Sequence, residues 1–445
     1  MNNFKKSPVQ FCAGDFMLIL TYFCSCLLLI CGIYLTFKSK FFQFVKLREI
    51  FKITILNTIK SRDTQGFKAM SLALGSTIGI GNIVGVTAAI LIGGPGAVFW
   101  MLLTGFIGMI IKYAEVKLCV EETLFSKRKC GGPMYLLSNK LKDNLFNYGK
   151  LFSLVCILAS LFAGNMIQSK SIYNFAQIGF NIDFLSISLI IIPLLAFILF
   201  GKDTLYQNIS AVLVPLMALF YIASVIIITL FNANNVPIAF KMIFLNAFGM
   251  KEFGGGICGS VISIALRTGV MKGLFTHEAG MGSSPIAHCS AENPEAHKQG
   301  CWGIIEVFID TVIVCMLTAI CIITSPVYLS FSYSDPFQLI CAIFQSVFGV
   351  YGIKLLGFSA ICFAFASIIG WSFYGLKSLE FFTNNNNVKR LYIVLFLTCI
   401  PLSYFLTDSV VWILTDVFNS FMLIPNSTFL LIYGSEAFKT SKHLR

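Results

Sequence analysis

The residues from Gly75 to Gly85, GSTIGIGNIVG, place glycines at 75, 79, 81 and 85 among Ser76, Thr77 and Asn82, inside an otherwise apolar run. Each glycine within a helix costs about 1 kcal/mol against alanine, so a continuous helix here is weak. An unwound stretch in hydrocarbon must line a cavity or bind something, because its backbone groups would otherwise go unsatisfied. Freed amides can hold a carboxylate and freed carbonyls can coordinate Na+, as at the midplane site of secondary transporters. A blander reading is close helix packing, since Gly81 and Gly85 have small-xxx-small spacing. It leaves the neighbouring Ser, Thr and Asn without a reason. A second interruption is expected in RTGVMKGLFTHEAGMGSSP, residues 267–285.

Other polar residues in apolar runs suggest further chemistry. Asn165 and Gln168 are three apart and share a helix face, and an amide oxygen suits an ammonium group. Interhelical hydrogen bonding is the competing use. Lys170 is an ionisable residue within a span, able to act as a fixed cation or proton carrier. It lies about 200° around the helix from Gln168 and about 12 Å from the outer end, near the reach of a snorkelling side chain. Lys112 and Glu115 form an i,i+3 pair expected to neutralise itself near the cytoplasmic end of the third span. His277 and Glu278 sit where the seventh run reaches the cytoplasm; His277 could add pH sensitivity or simply bond within an inner gate. Asp310 is a structural or gate candidate. Trp371, after Gly370, could close over a small side chain or pack as core.

No enzyme signature survives. There is no GxxxxGK[ST], the His277-Glu278 start of an HExxH is broken at Met281, and Gly79-Ile80-Gly81 does not continue as GxGxxG. The 15 cysteines show no repeated CxxC and no Cys/His cluster at zinc spacing, so they read as small buried apolar residues.

The elements that position these residues must be membrane helices. Of 445 residues, 57% are hydrophobic and only 12% charged, half of what a soluble protein carries, and 45 are Phe. Eleven apolar runs are expected to be helices: 16–37, 69–92, 96–119, 150–178, 183–201, 205–231, 254–276, 301–328, 356–379, 389–406 and 409–434. The first is too long for a cleavable signal and lacks a cleavage site. Residues 337–350 read as a short extracytoplasmic or re-entrant helix. With the N-terminus outside, 26 of the 32 basic residues fall on segments facing the cytoplasm, which favours N-out and C-in. The formal charge of +12 is then a topology signal rather than a mark of nucleic-acid binding.

The fold class is therefore an all-α polytopic membrane protein. One N-terminal helix is followed by five plus five in inverted repeat, each half opening on a broken helix, the second and seventh. The divisions are 1–68 (first helix and basic loop), 69–231 (first repeat), 232–434 (second repeat) and 435–445 (cytoplasmic tail).

The chain resembles the alanine or glycine:cation symporters, also called sodium:alanine symporters. The matching stretches are GSTIGIGNIVGVTAAI and GGPGAVFWM (75–101), KYAEV (112–116), GGPMY (131–135), GNMIQSKS (164–171), GLFTHEAGMGSSPIAH (273–288), VFIDT (307–311), FAFASIIGWSFYG (363–375) and IPN (424–426). The resemblance implies a leucine-transporter-like fold, Na+- or H+-driven uptake of small neutral amino acids, and a bacterial inner membrane. It assigns the amides around Gly79 and Gly81 to the substrate carboxylate and Asn165 and Gln168 to its amino group. Thr77, Asn82, Gly269 and Trp371 complete the substrate set. Sodium would be held by Gly75, Ile78, Phe363 and Ser367. The family has two consecutive hydroxyl residues in the ninth span where this chain has Ala366-Ser367, and typically Asn where this chain has Lys170. Lys170, His277 and Glu278 are the gate or coupling candidates.

The function expected is symport of a small neutral amino acid, alanine or glycine, with Na+ or H+, by a monomer that is not an enzyme and needs no cofactor beyond the coupling ion. A cation-independent or proton-driven carrier, a transporter-like receptor and a channel are the alternatives. The partners are amino acid, cation and lipid bilayer, with no nucleic acid.

Overall fold

A computed structural model describes residues 8–61, 64–128, 131–141, 147–249, 258–330 and 333–439. Lys5, Lys6, Lys251, the start of the seventh run and residues 440–445 of the tail lie outside them. Every regular element of any length is helical. The principal helices are α1 (Pro8–Lys38), α2 (Gln65–Thr77), α3 (Val84–Gly93), α4 (Gly96–Phe125), α5 (Tyr148–Phe180), α6 (Phe184–Leu199), α7 (Asp203–Phe231), α8 (Cys258–His277), α9 (Ala296–Thr324), α10 (Val350–Glu380), α11 (Asn386–Phe405) and α12 (Asp408–Tyr433).

Each of the eleven expected runs is occupied by one of these helices, α2 and α3 together filling the second. Among the described residues eight helices are long and apolar enough to cross a bilayer, and the bent α2–α3 pair makes a ninth. Phe184–Leu199 is apolar but short. The chain is a polytopic membrane protein. Its outer faces carry large apolar side chains, among them Leu189, Phe197, Leu216 and Phe231, each well over half exposed. That surface suits lipid, where every backbone group is already paired within a helix. At α6, the Asp183 carboxylate caps the N-terminus through the Leu185 and Ser186 amides and the Ser186 hydroxyl. The Ser186 bonds hold that carboxylate below its usual range.

One element differs from the sequence reading: helix Val236–Ala247 was not expected. The short helix expected at 337–350 is present from Pro336 to Phe348. The second interruption is also narrower than 267–285. α8 runs unbroken to His277, and only Glu278–Ser283 leaves helical form before the short helix Ser284–His288. The glycines inside α8 explain the difference, because they serve packing. A Cβ on Gly269 would run into the Ala97 carbonyl oxygen, and one on Gly273 would run into Thr104 Oγ1. This four-residue spacing lets α8 lie against α4 with backbones almost touching.

The centre of the molecule is α2, α4, α5, α8, α9 and α10, with α4 packed on α8 and α9, and α10 on α5 and α7. α1 lies against α12 and α4 on one side.

Candidate functional site

The break expected between Gly75 and Gly85 is present and sharp. α2 ends at Thr77, Ile78 is extended with ψ 91°, and α3 leaves at 61° to α2 after one tight turn, Ile80–Asn82. A helix end strands its last carbonyls. The Gly79 amide, which would have closed a turn onto Gly75, instead donates to Asn82 Oδ1 at 3.1 Å. The Ser76 carbonyl is met from α10 by Ser367 Oγ at 2.9 Å. The Ile80 amide donates to Gln168 Oε1 on α5 at 3.3 Å.

These groups surround a cavity of about 10 Å³, lined by Ser76, Thr77, Gly79, Gly81, Ala163, Gln168, Phe275, Glu278, Trp371 and Asn419. Five of the eight substrate candidates thus meet: Thr77, Gly79, Gly81, Gln168 and Trp371. A cavity this size has room for about one water. Trp371 reaches it because α5 carries glycine opposite: a Cβ on Gly164 would collide with Trp371 Cβ. The indole Nε1 donates to Glu278 Oε1 at 3.1 Å.

Three candidates lie elsewhere. Gly269 is the packing glycine against α4. Asn82 turns away from the cavity, its amide donating to Asp310 Oδ1 at 2.6 Å. Asn165 spends its amide on the Phe396 carbonyl of α11 at 2.5 Å and accepts from Ser169 Oγ at 2.9 Å. Spacing of three failed to place Asn165 beside Gln168 because Phe162–Met166 is a wide π-helical turn, which shifts the register of the rest of α5.

The four sodium candidates bracket the end of α2. Gly75 and Ile78 belong to its last turn and the break; Phe363 and Ser367 are one turn apart on α10 and fully buried. Ala366 presents a methyl there, 3.7 Å from where a Gly75 Cβ would stand.

Below the cavity lies a buried ionic cluster. Lys112 Nζ stands 3.4 Å from Glu306 Oε1 and 3.6 Å from Glu115 Oε1, and donates to Ser284 Oγ at 3.0 Å. Glu306 also meets His288 Nε2 at 3.1 Å and accepts from the Ser284 hydroxyl. Glu115 Oε2 accepts from the Gly280 amide at 3.2 Å and from Asn426 at 2.9 Å. Glu278 Oε2 accepts from Ser283 Oγ at 2.6 Å. The segment after α8 is therefore bound at both ends by carboxylates. Lys112 and Glu115 do not form the self-contained pair expected of them. Glu278, expected at the cytoplasmic end, is a wall of the cavity with φ at 51°. His277 is fully buried, its Nδ1 accepting from the Ala279 amide at 3.0 Å.

Lys170 faces a separate cleft of about 30 Å³ lined also by Ile80, Val84, Asp408 and Trp412. Its ammonium stands 2.9 Å from Asp408 Oδ1 and donates to the Leu406 carbonyl. Asp408 is two-thirds exposed, so the lysine reaches toward the surface.

Sequence reasoning missed Glu306, Phe275 and Asn419. Glu306 had a signal, an acidic residue in an apolar run. Phe275 and Asn419 had none, because they meet only through contacts between distant parts of the chain.

The profile of the sodium:alanine symporter family matches residues 9–445. The chain is 33% identical over 399 residues to an uncharacterized transporter of Haemophilus influenzae, covering 89% of this chain and 87% of that one. It is 31% identical over 444 residues to the sodium/alanine symporter AgcS of Methanococcus maripaludis, covering 97% and 95%. It is 29% identical over 420 residues to the probable sodium/glutamine symporter GlnT of Bacillus subtilis, covering 94% and 86%. With its broken helix, buried cavity and spanning helices, the chain belongs to the sodium:alanine symporter family.

Proposed function

We propose that this protein moves a small neutral amino acid across a bacterial inner membrane together with a cation, by alternating access around the α2–α3 break. The carrying observation is that break, where backbone amides and stranded carbonyls meet one small cavity closed by Trp371. The substrate carboxylate would take the Ile80 amide from Gln168, whose amide would then turn to the ammonium group. On this reading Gln168, now on the Ile80 amide, would withdraw to admit the ligand and enlarge the cavity. Na+ is the coupling ion we favour, held by carbonyls of Gly75 and Ile78 with Phe363 and Ser367. The Ser367 hydroxyl would release the Ser76 carbonyl to join it.

The inverted five-plus-five repeat, 69–231 and 232–434, would rock about the cavity in a monomer with its N-terminus outside and its tail in the cytoplasm. Such a protein is a carrier and not an enzyme.

The experiment is uptake of labelled alanine and glycine into proteoliposomes under an imposed Na+ gradient and, separately, an H+ gradient. Accumulation under the Na+ gradient is expected, and accumulation under neither would overturn the reading. A proton-driven carrier is the second reading, favoured by the Ala366 methyl at the sodium candidates. Uptake driven by H+ alone would establish it.

A further inference from the structure

Beside the central cavity lies a second one, about 60 Å³ against about 10 Å³. It is bounded by α1 (Thr21, Cys24, Ser25), α8 (Met271, Leu274, Phe275) and α12 (Asp416, Asn419, Ser420), with Met281 from the unwound segment. Phe275 and Asn419 line both cavities, so these two side chains are the partition between them. Asn419 Oδ1 is buried and has no hydrogen-bond partner among the described residues. A buried amide oxygen without a donor is costly, and a ligand that supplies an N–H removes the cost.

We infer that this second cavity is a side-chain pocket of the substrate site, and that it takes a neutral amino acid whose side chain ends in a carboxamide. The inference rests on the transport reading above. The amino acid backbone sits at Ile80 and Gln168. The Phe275 ring swings aside, and the side chain passes Asn419, donating an amide N–H to its Oδ1. By the volume one water needs, 60 Å³ holds about four to six water-sized groups, and a glutamine side chain extends four heavy atoms beyond the β-carbon. Three features set the chemistry. The wall is mixed, with Met271, Leu274 and Met281 beside the polar groups, which suits an aliphatic stem with a polar tip. Asp416 faces the pocket and disfavours an acidic side chain. Lys272 is the cation paired electrostatically with Asp416, but it stands outside the pocket lining, its ammonium 4.5 Å over the Trp412 ring and 5.9 Å over that of Phe275, so Asp416 is the charge that a side chain in the pocket meets. The pocket also gives α1, the helix outside the expected repeats, a part in choosing the substrate.

The test is competition with labelled alanine uptake in proteoliposomes of the full chain, using glutamine, glutamate and methionine as competitors. Glutamine is expected to compete, at least tenfold better than glutamate or methionine. Ser25→Leu should fill the pocket from α1; among the described residues the Ser25 hydroxyl bonds within its own helix, to the Thr21 carbonyl at 2.8 Å, rather than to another helix. It should weaken glutamine at least tenfold more than it weakens alanine. Met271→Phe, filling the same space from α8, repeats the measurement should Ser25→Leu abolish all uptake. Absence of glutamine competition in the parent protein would overturn the inference, as would competition unchanged relative to alanine in both variants. Equal competition by glutamate or methionine would overturn the role of Asp416 and Asn419. Loss of alanine uptake by the parent protein is a different result, and would count against the transport reading itself.

Discussion

The chain leaves helical form in two central places, and it secures them by opposite means. The α2–α3 break, between Thr77 and Val84, is held by neutral partners: Asn82 on the Gly79 amide, Gln168 on the Ile80 amide, and Ser367 on the Ser76 carbonyl. The segment Glu278–Ser283 is as long and is tied by buried charge, through Glu115, Glu278, Glu306 and Lys112. Neutral amides and hydroxyls can exchange partners at a net cost of about 1 kcal/mol each. A buried ion pair cannot, since removing one partner costs about 3–5 kcal/mol. Under the proposed function, the first break trades its bonds for a ligand. The second is built to stay whole, or to move as one piece.

The most severe way to break that contrast is Lys112→Met, which strands Glu115 and Glu306. It should cost about 3–5 kcal/mol and abolish both folded yield and uptake, read by detergent-extracted yield and thermal unfolding. Retention of stability would place the charges outside the hinge. Asn82→Ala comes next, because it releases the Gly79 amide and leaves Asp310 without its 2.6 Å partner. A loss of about 1–3 kcal/mol is expected in thermal unfolding. Gln168→Ala should spare stability within about 1 kcal/mol while weakening alanine binding at least tenfold, measured by titration. Ala366→Ser restores a hydroxyl beside the α2 end and should lower the half-saturating Na+ concentration of uptake severalfold, for a gain of about 1 kcal/mol. The smallest effect belongs to a pair at neither break. Lys170→Met removes a contact to an exposed Asp408 and should change stability by less than about 1 kcal/mol. A loss of H+-driven uptake in that variant would move the coupling role to Lys170.

Much of the fold was legible because hydrocarbon enforces long apolar runs, and each expected run holds a helix. The first break was legible too, since four glycines and three polar residues in eleven positions have no other good reason to be there. The second was placed too broadly. Gly269 and Gly273 look like helix breakers in a sequence, yet they pack α8 on α4, and only the partner helix reveals this. At the cavity, Gln168 is in the lining and Asn165 is not, because spacing arguments assume 3.6 residues per turn and α5 does not keep it. The ionic cluster was half legible. Lys112 and Glu115 are neighbours in the chain, whereas Glu306 and His288 join them only through tertiary contacts.

The wide turn Phe162–Met166 carries one more consequence, for insertions and deletions. A π-helical turn is one residue of surplus length inside a helix. Deleting a residue there would return α5 to regular winding with the flanking turns keeping their facing, whereas a deletion from the regular turns ahead of Gln168 would rotate everything beyond it by about 100°. That would carry Gln168 off the Ile80 amide while every residue of the site remained unaltered. The length of α5 ahead of Gln168 is therefore as much a part of this chain's candidate site as any side chain.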